Sequence, residues 1–414
     1  MAFTSRRPAP AAKEMKLTPV ITLEGHKNDY VRSISYFSGG KQIISASYDD
    51  EAVRQWDLHA GKEIEKARKV CKYGANAVAV SGDSRWVVTA GGEYYDIPGE
   101  LKAWEVDTGI VKAFHGDSEH ITCMDISADS MLLASGSNSE DQIDHPRIWS
   151  LDTGKLVAGP FNIAKSAGTV RFSPDSKKLA VISFGRRYLD VWDIQTQKLD
   201  RRMKGSEKLA PATYAPVFWT NKGTRILAVF NFSDDPSSNT FYEFDASTLE
   251  TVGAPFEGHT DTINGLAPSS DGTLIASASH DGIKLWAFES RQLLASFHDI
   301  NANIVVFSPD MQQLAYTSYS SDHNNIYICD TPPNILASIG LAIKGHPKKT
   351  GATLEDLLDR NAAAGASKQQ DDDLVPDEYF DDDPPSQNPN SRQSTAAAPT
   401  NAGDHGSGRF CFCF

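Results

Sequence analysis

Seven short apolar strands recur along the chain, each ending in an aromatic or thiol residue with a small or acidic neighbour: RQWD at Trp56, KAWE at Trp104, RIWS at Trp149, DVWD at Trp192, YEFD at Phe244, KLWA at Trp286 and YICD at Cys329. The intervals between them are 48, 45, 43, 52, 42 and 43 residues. That rhythm lies close to the roughly 40 to 45 residues of a four-stranded propeller blade, a unit that buries its apolar faces only by stacking against copies of itself. The spacing therefore predicts an all-β fold, a seven-bladed β-propeller of four-stranded antiparallel blades.

Inside each unit an apolar strand runs into a turn: ISYFSGGK, VAVSGDSR, DISADSM, VRFSPDSK, VFWTNKGT, LAPSSDGT and VVFSPDM. A second β-rich strand such as QIISAS, LLASGS or LIASAS comes next. Short alternating segments separated by Gly, Pro, Asp and Ser read as strands and not helices. The stretch PVITLEGH near the start resembles VGAPFEGH before the sixth unit. Residues 18 to 24 are therefore expected to supply the outer strand of the last blade, closing the ring and removing its open sheet edges.

With GH at Gly25-His26 and Gly258-His259 and WD at Trp56-Asp57 and Trp192-Asp193, residues 17 to 340 resemble the WD40 (WD-repeat) family. The degenerate repeats and acidic tail also resemble WD-repeat proteins of mushroom-forming fungi. The resemblance implies polar tetrads of His, Ser or Thr, Asp and Trp. The matching positions are His26, Ser47, Asp49 or Asp50, and Trp56 in the first blade, and His259, Ser279, Asp281 and Trp286 in the sixth. An indole N–H only donates, a hydroxyl donates and accepts, and an imidazole can link it to a carboxylate, so such a set satisfies itself when buried. Blades two, four, five and seven lack the GH, and Phe244 and Cys329 replace Trp in blades five and seven.

The resemblance also implies where partners bind: the loops joining one blade's outer strand to the next blade's inner strand share a face with the loops joining second and third strands. The insertions GGEYYDIPGE, SNSEDQIDHP, NFSDDPSSN and SYSSDHNN fall in loops of the second kind. They carry Glu93, Asp96, Glu100, Glu140, Asp141, Asp144, Asp234, Asp235 and Asp322. Acidic loops around one mouth attract a basic segment of a partner protein, although solvation alone also favours acidic loops. In blade four Arg186 and Arg187 are expected on the same side, where two guanidiniums would hold one carboxylate or phosphate. The starts of the inner strands, Tyr30, Gly74, His120, Ser166, Thr213, Thr262 and Asn301, are expected to ring the mouth. Tyr30 and Tyr48 with Tyr94 and Tyr95 form a candidate aromatic cluster, for a cation or for ordinary packing.

The formal net charge is -14, and no run of five or more basic residues occurs, so no direct nucleic-acid binding is expected. The start MAFTSRRPAPAAKEMK has no apolar stretch behind its arginines, and no run of about 18 apolar residues appears, so no membrane span is expected. Five cysteines without a C-x-x-C pair fit neither a disulfide framework nor a zinc site. G-x-S-x-G, H-E-x-x-H and P-loop patterns are missing. The reading is a non-catalytic scaffold for other proteins, cytoplasmic and in part nuclear, with no cofactor, metal or small-molecule substrate, a monomeric propeller within a larger complex. The alternatives are a substrate receptor of a ubiquitin ligase, or a propeller hydrolase built on the acidic loops. Against the receptor, the W-D-x-R docking signature is missing, since Trp56-Asp57 runs on to Leu58-His59 and Trp192-Asp193 to Ile194-Gln195, and no F-box-sized domain fits before residue 17.

The remaining organisation is a flexible arm at 1–16, a linker with a short helix at 341–365, and a disordered acidic and polar tail at 366–414. In the linker Thr353 is placed to cap a helix bearing Leu354, Leu357 and Leu358 on one face, to dock or to recruit. In the tail DDDLVPDEYFDDDPP sets Leu374, Val375, Tyr379 and Phe380 among acids, in a composition that does not fold alone. The end RFCFCF permits prenylation at Cys411, but Cys413 in an aliphatic position and the missing polybasic signal oppose it.

Overall fold

The computed structural model describes residues 13–26, 30–47, 52–64, 68–71, 74–92, 99–115, 121–137, 145–206, 216–232, 239–319 and 324–340. Within them the chain forms seven antiparallel sheets arranged as blades, each with its strands ordered from the ring's centre outward. Blade 4 is representative: Ala167–Phe172 is innermost, followed by Lys178–Ser183, Tyr188–Asp193 and the outer Lys198–Lys204. The expected seven-bladed propeller is the observed fold.

Five blades share one hairpin between their first and second strands. Ser81, Ser127, Ser173, Ser269 and Ser308 each donate a hydroxyl to the aspartate two residues on, at 2.5 to 2.8 Å. The same hydroxyls accept the amide five residues on, at 2.8 to 2.9 Å. A serine and an aspartate thereby close the turn with side-chain bonds that mimic a backbone turn. The residue after each aspartate turns left-handed, as at Ser84, Ser130, Ser176, Gly272 and Met311.

The ring closes as the sequence predicts. Ile21–Leu23 pairs antiparallel with Ile326–Asp330, placing Ile21 opposite Ile328 and Leu23 opposite Ile326, as the outer strand of blade 7. Lys13–Glu14, inside the stretch read as a flexible arm, pairs parallel with the outer strand Gln292–Phe297 of blade 6. That backbone pairing covers an edge that would otherwise stay open. The helix Pro333–Ser338 follows blade 7, and its Ile335 packs with Leu17 on the core between blades 6 and 7.

The apolar core is divided among the seams between blades, with a cluster at each. Leu23, Ile34, Trp56, Ile304 and Ile326 form the cluster that joins the last blade to the first. Where the tryptophan is missing, Phe244 and Cys329 are fully buried in its place. Residues 341–414, with the predicted linker helix, the acidic tail and the Cys411 end, lie outside the described residues.

Candidate binding face

The inner strands all begin at the end that carries the long connections and finish at the hairpin end. Six of them bulge near the start, between Val31 and Ser33, Ala75 and Ala77, Ile121 and Cys123, Ala167 and Thr169, Ile263 and Gly265, and Ala302 and Val305. A bulge re-aims the extra side chain, and the residues at this place include Arg32, Asn76, Thr122, Asn264 and Asn303. The Asn264 amide and the Thr122 hydroxyl are buried with no partner among the described residues. These polar residues lie two positions further into the strands than Tyr30, Gly74, His120, Thr262 and Asn301, the strand starts expected to line the mouth.

Arg186 and Arg187 do not present the expected pair of surface guanidiniums. Arg186 is fully buried, with a left-handed φ of 57°, and its Nη2 donates to the backbone oxygen of Ile263 at 2.8 Å. Ile263 opens the inner strand of blade 6, so the bond passes blade 5. The inner strand of that blade is short, Val217–Thr220, against six residues in its neighbours. Arg187 is half-buried.

Tyr30 meets two rings that the sequence reading did not name. Its ring lies edge-on to Tyr319 at 5.3 Å, and Tyr319 stacks on His280 at 5.0 Å. His280 Nδ1 and Asn301 Oδ1 are 2.6 Å apart, and Tyr319 N donates to Asn301 O at 2.8 Å. The cluster thus joins blades 6, 7 and 1, across the closure of the ring. Tyr319 opens the blade 7 insertion and His280 follows the second strand of blade 6, so a reading that treated the ends of the repeat as neighbours would have found them. The expected site residues Tyr48, Glu93, Tyr94, Tyr95, Asp96, His120, Glu140, Asp141, Asp144, Asp234, Asp235 and Asp322 lie outside the described residues, as does Thr213.

The polar tetrads use a different serine from the one expected. In blade 6 Trp286 Nε1 donates to Ser277 Oγ at 2.9 Å, Ser277 Oγ lies 2.6 Å from His259 Nε2, and His259 Nδ1 meets Asp281. In blade 1 Trp56 Nε1 donates to Ser45 Oγ at 2.8 Å, and Ser45 Oγ lies 2.7 Å from His26 Nε2. Ser47 and Ser279, two residues later on the same strand faces, are buried with hydroxyls unpartnered among the described residues. Blade 3 adds a bond that the sequence reading missed, Trp149 Nε1 to Ser135 Oγ at 2.9 Å. Its signal was the shared fourth-place serine of QIISAS, LLASGS and LIASAS. Asp50 lies outside the described residues.

The glycine before each of these histidines has a steric reason. A Cβ on Gly25 would come within 2.9 Å of the Trp56 ring, and one on Gly258 within 2.9 Å of the Trp286 ring. Burial lowers the proton affinity of His259, while Asp281 works in the opposite direction. Burial alone would raise the Asp281 carboxyl, but bonds from His259, Thr260 and Lys284 hold it well below the usual carboxylate range. A neutral His259 can donate from Nδ1 and accept at Nε2, completing a chain from indole to carboxylate. Among the described residues no cluster of three or more His, Cys, Asp or Glu side chains is placed to hold a metal ion. No helix among them is long and apolar enough to cross a membrane.

The family model described as "WD domain, G-beta repeat" matches residues 17–57, 109–143 and 250–286. Each match begins shortly before the outer strand of one blade and continues into the next blade, the same offset that closes this ring. The chain is 24% identical over 236 residues to a transcriptional corepressor of Arabidopsis thaliana, LEUNIG_HOMOLOG, covering 49% of this chain and 29% of that protein. It is 26% identical to the WD repeat-containing protein SL1-17 of Schistosoma mansoni, over 51% of this chain and 63% of the relative. It is 21% identical to a guanine nucleotide-binding protein subunit beta-like protein of Encephalitozoon cuniculi, over 67% of this chain and 85% of the relative. The matches thus span less than two thirds of the length of the first two relatives.

Proposed function

This chain belongs to the WD40 family of repeat propellers, and from that premise we propose that it is a protein-interaction scaffold whose partners bind the loop-rich mouth of the ring. Family members and relatives of this kind fit such a role, one being by name a transcriptional corepressor and another a G-protein β-like subunit. The observation that carries the reading is the contrast between the two ends. The hairpin end repeats one serine–aspartate bond in five blades, whereas the mouth differs blade by blade and presents the Tyr30, Tyr319 and His280 rings. A rigid closed scaffold with its variation gathered at one end suits recognition.

The partner segment is basic in this reading. The insertions at that end contribute Glu93, Asp96, Glu140, Asp141, Asp144, Asp234, Asp235 and Asp322, and a lysine or arginine entering beside Tyr30 and Tyr319 gains from their ring faces. Action in the cytoplasm or nucleus goes with this proposal. Affinity purification with mass spectrometry, on the full chain beside a version ending at residue 345, tests it. The proposal expects the principal partners with both chains; partners captured only with the tail present would overturn it.

A further inference from the structure

At the hairpin end all seven inner strands line a central cavity of about 380 Å3. It lies at the far end of the ring from the Arg186 bond and from the face proposed for proteins. Much of its wall is apolar, including Val78, Met124, Phe218, Leu266 and Phe307, and an ion pair interrupts it on one side. Arg171 Nη1 donates to Asp125 Oδ1 at 2.7 Å, and Phe172 N donates to Asp125 Oδ2 at 2.7 Å. Arg171 Nε donates to Val217 O at 3.2 Å, and the guanidinium lies over the Phe218 ring at 4.6 Å. The pair thereby joins blades 3, 4 and 5.

These bonds occupy Nε and one edge of Nη1. Nη2 has no partner among the described residues, and the Arg171 side chain remains 20% exposed at the cavity wall. The equivalent places two residues before the hairpin serine are held by Ala79 in blade 2 and Ala267 in blade 6, so the charge sits on one side of a mostly apolar chamber. A guanidinium with donors to spare in such surroundings favours an acceptor matching its planar fork, and a carboxylate is that acceptor. Burial raises the Asp125 carboxyl above its ordinary range, against the lowering by Arg171.

We infer that this cavity is a binding site for a small carboxylate with an apolar body, the carboxylate on Arg171 Nη2 and the body against Met124, Phe218 and Leu266. A volume of about 380 Å3 lies at the lower end of the roughly 300 to 1,000 Å3 of small-molecule sites, which suits a ligand of simple aromatic-acid size.

Calorimetric titration of the full chain with 4-phenylbutyrate, and with 4-phenylbutyramide as its neutral match, tests the inference. The acid binds, and the amide binds roughly tenfold or more weakly, the difference expected of a charge-assisted hydrogen bond. Arg171→Gln abolishes the preference for the acid, and Ala79→Leu, which adds bulk to the chamber wall and leaves both residues of the ion pair in the chain, weakens both ligands. If melting by circular dichroism shows that Arg171→Gln does not fold, the acid–amide comparison and Ala79→Leu decide. Failure of the acid to bind, equal binding of acid and amide, or undiminished binding by Ala79→Leu overturns the inference.

Discussion

Arg186 of blade 4 reaches past blade 5 to the backbone oxygen of Ile263 in blade 6, 2.8 Å from Nη2. It braces the ring where the inner strand of blade 5 is shortest. A hydrogen bond from a charged donor is worth about 1.5 to 3 kcal/mol. Replacing Arg186 by Met keeps an unbranched apolar stem and removes the donor, so urea denaturation should give a loss of about that size. An unchanged midpoint would show that the bond contributes nothing to closure.

The tetrads predict a contrast between serines two residues apart. Ser277→Ala removes the acceptor of the buried Trp286 indole and should cost about 1 to 3 kcal/mol by leaving that donor unsatisfied. Ser279→Ala deletes a hydroxyl that is buried and unpartnered, and should be close to neutral or slightly stabilising. The opposite order in denaturation midpoints would refute the assignment of Ser277.

His259 makes stability depend on pH with a definite sign. Burial depresses its folded proton affinity below the ordinary 6.5, Asp281 opposing. Below pH 6.5 the unfolded chain therefore binds the extra proton first, and stability present at neutral pH is lost as pH falls toward the folded value. Asp281, held below its ordinary 3.8, contributes stability above that pH and loses it only in stronger acid. Wild-type protein should lose more stability between pH 7.5 and 5.5 than His259→Gln, by urea titration at each pH. Equal losses would remove His259 from the account.

Deleting residues 1 to 24 takes away the outer strand of blade 7 and the parallel pairing on blade 6. Leu17 and Leu23 leave the core with it. At about 1.5 to 3 kcal/mol for each buried leucine, Tm should fall by roughly 10 °C or more. A melting curve that does not move would mean that the ring closes in some other way.

The blade rhythm and the closing strand were legible because they rest on periodicity and on the likeness of PVITLEGH to VGAPFEGH. The choice between Ser45 and Ser47 was not. Side chains two apart on a strand share a face, and only the register, with Ile43 opposite Trp56, brings Ser45 to the indole. Tyr319 and His280 were missed as neighbours of Tyr30 because ring closure joins blades far apart in sequence. The Arg186 direction was hidden for a local reason: a left-handed residue after Gly185 turns the side chain inward, and nothing in SFGRRYLD announces that turn. The hairpin serines were visible as a repeated motif, but their bonds to the aspartates depend on the left-handed turn that each hairpin adopts.

The central claim is that partners are held at the acidic mouth. A pull-down on residues 1–345 with Glu140, Asp141 and Asp144 all changed to Lys, beside the unaltered propeller, tests it most directly. With folding confirmed by melting, the account predicts that partners held by the unaltered propeller are lost or much reduced, and that raising salt reproduces the loss. Full retention of every partner by the charge-reversed chain would contradict it.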